Sequence, residues 1–216
     1  MNMNTTHRQV IGFLGILVLA TATSVSLDAQ VGRGLLDPNV AAEKDLLSLP
    51  RMTPAIVTGM LDKRPFTSIT EWHAFLLSQK ITAEQAAEVY GKAFVHVNLN
   101  TGTREEILLI PGAGNRMVRE FMEYRPWKTW AQFDKEIGKY VGQQETDRLK
   151  QYVFIPVNLN TATDEAILSI PGAGPRMVRE FKEYRPWKTK GQFEKEIGKY
   201  VGAKETERLW RYVVIE

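Results

Sequence analysis

Two stretches of the chain carry residues that could hold an anion. They are Pro111-Gly112-Ala113-Gly114, followed by Arg116 and Arg119, and Pro171-Gly172-Ala173-Gly174, followed by Arg176 and Arg179. Glycine reaches backbone angles closed to other residues and lets a ligand approach the main chain closely. A helix that starts just past such a turn presents free N–H groups, and these donors together with the helix dipole favour a phosphate. Arg116 and Arg176 can add a charge-assisted bond to the same or the next phosphate. Arg119 and Arg179 lie one turn further along the same face. A plainer reading stands beside this one. Glycine at a helix end is routine capping, and Arg116 and Arg119 can instead pair with Glu120 and Glu123, a solvated face of little energetic weight.

Other chemistries find little support. The chain has no cysteine, which excludes disulfides, zinc fingers and iron–sulfur ligation. Its three histidines are scattered: His7 is near the N-terminus, and His73 and His96 read as structural. No metal site and no nucleophilic triad is expected. With 28 Lys+Arg against 25 Asp+Glu the net charge is only +3, modest for a nucleic-acid binder.

The elements that position the two turns come from a repeat. Shifted by 60 positions, residues 97–156 match 157–216 at 44 places, so the two segments must share one fold. A degenerate third copy precedes them. Leu36–Phe66 falls on Val97–Trp127 at an offset of 61, and Ile81–Val95 falls on Val141–Ile155 at 60. The expected units are 30–96, 97–156 and 157–216.

Within a unit, Thr103 and Glu106 have the form of a capping box ahead of an apolar face at Ile107, Leu108 and Ile110. The Pro-Gly-Ala-Gly turn follows, and then a helix with Met117, Val118 and Phe121 at helical spacing. Arg125-Pro126-Trp127 ends it. A third short helix is predicted over Trp130–Ile137, a turn over Gly138-Lys139-Tyr140-Val141-Gly142, and a fourth helix over Glu145–Tyr152. Val153-Phe154-Ile155 is expected to run extended into the next unit or to staple against it. Trp127, Trp130, Trp187 and Trp210 are sized for the cores, and Tyr124 and Tyr184 read as core rather than as base-stacking platforms.

Asn98-Leu99-Asn100-Thr101, then Ile-Pro-Gly-Ala-Gly with an early arginine, resembles the helix-hairpin-helix motif. With the later Glu123-Tyr124-Arg125-Pro126-Trp127 it is similar to the tandem helix-hairpin-helix domain of exported competence DNA receptors. The resemblance covers 97–216 well and 37–96 weakly. It implies an all-α tandem array of three units of about 60 residues, the first degenerate. It also implies sequence-independent binding of duplex DNA through backbone contacts to phosphates. The implied site is Gly112, Ala113, Gly114, Arg116 and Arg119, with Gly172, Ala173, Gly174, Arg176 and Arg179. Family hairpins can also hold a monovalent cation on backbone carbonyls; no other cofactor is implied.

The chain departs from that family in two ways. The family's second Gly-x-Gly hairpin is replaced by Gly138–Gly142 and Gly198–Gly202, where only Lys139 and Lys199 could serve a phosphate. The first unit has Pro50-Arg51-Met52-Thr53-Pro54, with no glycine, and is not expected to bind DNA. Charge follows the same gradient: net 0 over 30–96, +1 over 97–156 and +2 over 157–216. The last unit is therefore the strongest candidate.

Residues 1–29 read as a secretory signal. Arg8 precedes an apolar stretch over 10–20, and small residues near Ala22 and Ala29 offer cleavage sites. Eleven apolar residues are short for a membrane span; a retained anchor over 10–27 is the alternative. The expected protein is exported, periplasmic or extracellular. No enzyme is expected, because the array leaves no room for a catalytic domain, and no small-molecule substrate is implied. The rival reading is a scaffold subunit of an envelope or membrane-bound complex. The fold also resembles the extrinsic lumenal subunit of oxygenic photosystems, which uses it to bind protein.

Overall fold

The computed structural model describes residues 34–216. The leader over 1–29 lies outside them. The described chain is predominantly helical, in the order α1 (Glu43–Leu47), α2 (Pro54–Lys63), α3 (Ile69–Ser78), α4 (Ala83–Tyr90), β1 (Val97–Asn98), α5 (Arg104–Leu108), α6 (Asn115–Glu123), α7 (Trp130–Lys150), β2 (Val153–Phe154), β3 (Val157–Asn158), α8 (Asp164–Leu168), α9 (Pro175–Glu183), α10 (Lys190–Trp210) and β4 (Val213–Val214). None of these helices is long and apolar enough to cross a membrane.

Most helices start where a hydroxyl can cap them. Thr53, Ser68, Thr82, Thr103, Thr129, Thr163 and Thr189 each accept a hydrogen bond from the N–H three residues on. The capping box expected at Thr103 and Glu106 is present. Ala42, Gly114 and Gly174 supply no such bond to α1, α6 and α9.

Each unit closes on itself. β1 pairs in parallel with β2 (Val97 opposite Val153), β3 with β4 (Val157 opposite Val213), and a single bridge joins Leu36 to Ala93. The apolar tail of a unit therefore returns to that unit's own first strand. The expected staple onto the next unit is made by a side chain alone: the backbone of the middle unit's tail pairs within its own unit, while the Phe154 ring is buried in the core of the last unit, 4.6 Å from the Tyr212 ring.

A second closure ties the start of each unit to its middle. Asn100 accepts from the Trp127 N–H at 2.6 Å and donates to the Trp127 carbonyl at 2.9 Å. Arg125 reaches back to the carbonyls of Leu99 and Gly102 at 2.7 and 2.6 Å. Asn160 and Arg185 repeat this in the last unit, and Asn39 and Arg64 in the first. The Arg–Pro bond is cis in all three. The recurring Asn/Asp-x-Asn and Arg-Pro-Trp/Phe segments are thus two halves of one clamp.

Two apolar cores result. One runs through the first two units, with Trp72, Phe94, Phe121 and Trp127 fully buried; the other serves the last unit around Phe181, Trp187 and Phe193. Phe94 meets Tyr152 edge-on across the first two units. Trp127 and Trp187 fill cores as expected, whereas Trp130 stays 38% exposed and Trp210 half-buried. Trp130 and its counterpart Lys190 open α7 and α10, at the rim rather than over the core.

Candidate functional site

The three turns between the first two helices of each unit share one backbone shape. Gly112 and Gly172 are left-handed, with φ of 79° and 77°, and Arg51 occupies the same place in the first unit with φ 65°. The first turn keeps its conformation without glycine. An arginine side chain held to Glu88 then stands where the other units leave bare backbone.

The second glycine of the turn has a different role. Gly114 has φ −115° and ψ −174°, an extended conformation open to any residue, and a Cβ there would meet nothing within 4 Å. The fold does not demand glycine. In the first unit the equivalent residue is Thr53, whose hydroxyl accepts from the Ile56 N–H at 3.3 Å. Gly114 and Gly174 remove that cap and leave the first turns of α6 and α9 to other acceptors. Ala113 and Ala173 do not add to the donors, since their N–H groups are spent on Ile110 and Ile170 at 2.9 Å. Pro175 has no N–H at the first position of α9, so that helix start offers one donor fewer than α6.

The second break in each unit repeats the exchange. Helix α7 continues through Gly138–Val141 and breaks only at Gly142, with φ 77°; α10 breaks at Gly202, with φ 76°. The five-residue turn predicted over 138–142 is thereby corrected. Gly138 lies inside the helix and brings Thr146 close, its Cβ position 3.6 Å from the Thr146 hydroxyl. The first unit has Thr82 at the place of Gly142, closing a full capping box with Gln85. A Cβ at Gly142 or Gly202 would again meet nothing within 4 Å. Two of the three self-capped helix starts of the first unit, those at Thr53 and Thr82, thus lose their hydroxyl cap in the other two, while the third, at Ser68, is matched by Thr129 and Thr189. The sequence signal is threonine against glycine in register, and a turn drawn over all of 138–142 hides it.

The arginines stand ready at the same end. Arg116, Arg119, Arg176 and Arg179 are exposed, and among the described residues none has a carboxylate within salt-bridge distance. The alternative pairing with Glu120 and Glu123 is not formed; Glu120 turns inward and is 7% exposed, and Glu123 is exposed without either arginine in salt-bridge distance. The secondary lysines are occupied. Lys139 donates to Glu136 at 2.5 Å and to the Tyr124 hydroxyl at 2.8 Å, and Lys199 is paired with Glu196. Those hydrogen bonds push both ammonium groups up from their ordinary value.

Comparison with known families, curated proteins and solved structures finds no match for this chain. The site therefore rests on its own geometry.

That geometry separates the two glycine turns. Around Gly112 the close neighbour is Arg148, which donates to the Pro111 carbonyl at 2.6 Å, an oxygen that a monovalent cation held on this turn's carbonyls would share. Around Gly172 the methyl of Val40, from the first unit, also closes in, 3.0 Å from a Cβ position, and Arg208 is fully buried. The last unit has the higher charge and the more crowded turn. Among the described residues no group of three His, Asp or Glu could hold a metal.

Proposed function

We propose that this chain is an exported tandem helix-hairpin-helix protein of three units that binds duplex DNA without sequence preference. It holds phosphates on the bare helix starts behind Gly114 and Gly174, with Arg116, Arg119, Arg176 and Arg179 beside them. The observation that carries the reading is the exchange of Thr53 for Gly114 and Gly174. At an extended, unobstructed position the glycines serve no backbone need, and they leave open donors that the first unit satisfies internally. Each site is weak alone, and two on one chain gain by linkage if both reach one duplex. The binding is read as non-catalytic.

The test is a fluorescence anisotropy titration of a labelled duplex with the purified protein at several salt concentrations. Expected is binding that weakens steeply as salt rises and is lost in a Gly114→Val, Gly174→Val variant that keeps its helical circular dichroism. Absence of binding at low salt removes the reading.

A scaffold role is the second reading. It is favoured by Met122 and Trp130, both 38% exposed, where the last unit has Lys182 and Lys190. Under that reading the envelope partner contacts the middle unit, and a Met122→Lys, Trp130→Lys variant loses it without changing DNA titrations.

A further inference from the structure

The units with bare helix starts share a side-chain cluster that the first unit lacks. The Arg116 guanidinium lies 4.8 Å over the ring centroid of Tyr140, and Arg176 lies 4.8 Å over Tyr200. The tyrosine is fixed at its far end. Its hydroxyl is 3.0 Å from that of Tyr124, with 2.9 Å for Tyr200 and Tyr184. The Tyr124 hydroxyl, partial burial and the adjacent Glu120 carboxylate push the Tyr140 hydroxyl up to about 12, so it stays neutral and hydrogen-bonded. In the first unit the places of Arg116, Glu120, Tyr124 and Tyr140 are taken by Ala55, Gly59, Lys63 and Lys80. The whole cluster disappears together with the glycine helix starts.

A flexible exposed arginine loses rotamer freedom whenever it binds. A ring face beneath it limits that loss and leaves the in-plane N–H edge free, as the planar guanidinium allows. The Arg116 and Arg176 side chains make no hydrogen bond to protein among the described residues. We infer that Tyr140 and Tyr200 are positioning residues: they hold Arg116 and Arg176 flat beside the bare helix starts, with the N–H edges turned to the phosphates of a duplex. This rests on the DNA-binding reading above.

The test is a double-mutant cycle in the same titration. One arm is Tyr140→Leu with Tyr200→Leu, the second is Arg116→Lys with Arg176→Lys, and the third combines them. A Tyr140→Phe, Tyr200→Phe protein keeps the rings. Expected is a loss of about tenfold in each of the first two arms, a combined loss well short of their product, and binding close to wild type for the phenylalanine protein. Arg116 and Arg176 are exposed, so the lysine arm reports even if the leucine arm loses helix content. Losses that multiply, or leucine variants that bind like wild type, overturn the positioning role and leave the DNA reading intact. A wild-type protein that binds no duplex overturns both.

Discussion

Single positions decide more here than net charge does. Gly114 illustrates it: its backbone is ordinary, its surroundings are empty, and its equivalent in the first unit is a working threonine cap. Copying that cap into the other units is the sharpest residue-scale test. Gly114→Thr with Gly174→Thr is expected to leave thermal stability unchanged or raise it by a few tenths of a kcal/mol per site, about what a hydroxyl cap gains over glycine. Duplex affinity is expected to fall on the order of tenfold, because the new hydroxyl takes a donor that a phosphate would use. Calorimetry beside the anisotropy titration checks both directions at once. Arg51 gives the converse case. It holds φ 65° where the other units have glycine, at a cost of about 1 kcal/mol. Arg51→Gly removes that strain together with an exposed ion pair to Glu88 of small worth. A modest rise in the melting midpoint is expected.

At the scale of elements, the clamp between Asn100 and Trp127 holds each unit in shape. Two backbone groups of Trp127 depend on one side chain 27 residues away. Asn100→Ala leaves both without that partner, and a loss of about 2 kcal/mol is expected in chemical denaturation, with duplex affinity per folded molecule unchanged. The words of this clamp were legible in the sequence, since Asn-Leu-Asn and Arg-Pro-Trp recur at fixed offsets. Their partnership was not, because a repeated word does not say what it touches. Helix existence was also legible, from Ser/Thr caps and from apolar spacing. In the sequence Gly138 has the look of punctuation, which widens the second break to a five-residue turn. In the fold Gly138 is a contact glycine against Thr146, and Gly142 alone breaks the helix. The tail Val153-Phe154-Ile155 is apolar enough to suit either unit and serves both: its strand pairs with β1 of its own unit while Phe154 packs on Tyr212 in the next.

At the scale of the molecule, the first unit reaches over to the third, and this sets the two glycine turns apart. The seam is polar and buried. The Tyr212 hydroxyl donates to Asp37 at 3.0 Å, His96 lies 3.8 Å from the same carboxylate, and Arg211 donates to the His96 carbonyl at 3.1 Å. Burial alone would raise the Asp37 carboxyl, but the nearby His96 imidazole, the Asn39 N–H and the Arg208 charge outweigh it and hold Asp37 down at about 2. A carboxylate depressed in the fold adds stability above its unfolded value near 4 and loses it as pH falls toward 2. The contribution is on the order of 2 kcal/mol, so acid is expected to release the first unit from the third across that window, ahead of the aliphatic and aromatic cores. Asp37→Asn should flatten the pH dependence of the melting midpoint. The same seam brings Val40 onto Gly172, whereas Gly112 meets only the arginine of its own unit. Net charge ranks the last unit first for phosphate, and access ranks the middle unit first. Close backbone approach is what the glycines permit, and a methyl group in the way costs more than one added charge at the surface returns. Gly114→Val alone is therefore expected to cost more duplex affinity than Gly174→Val alone. Val40→Gly is expected to narrow that gap by improving binding at the last unit. Equal losses from the two valine variants, with Val40→Gly indifferent, would show that the seam does not govern access.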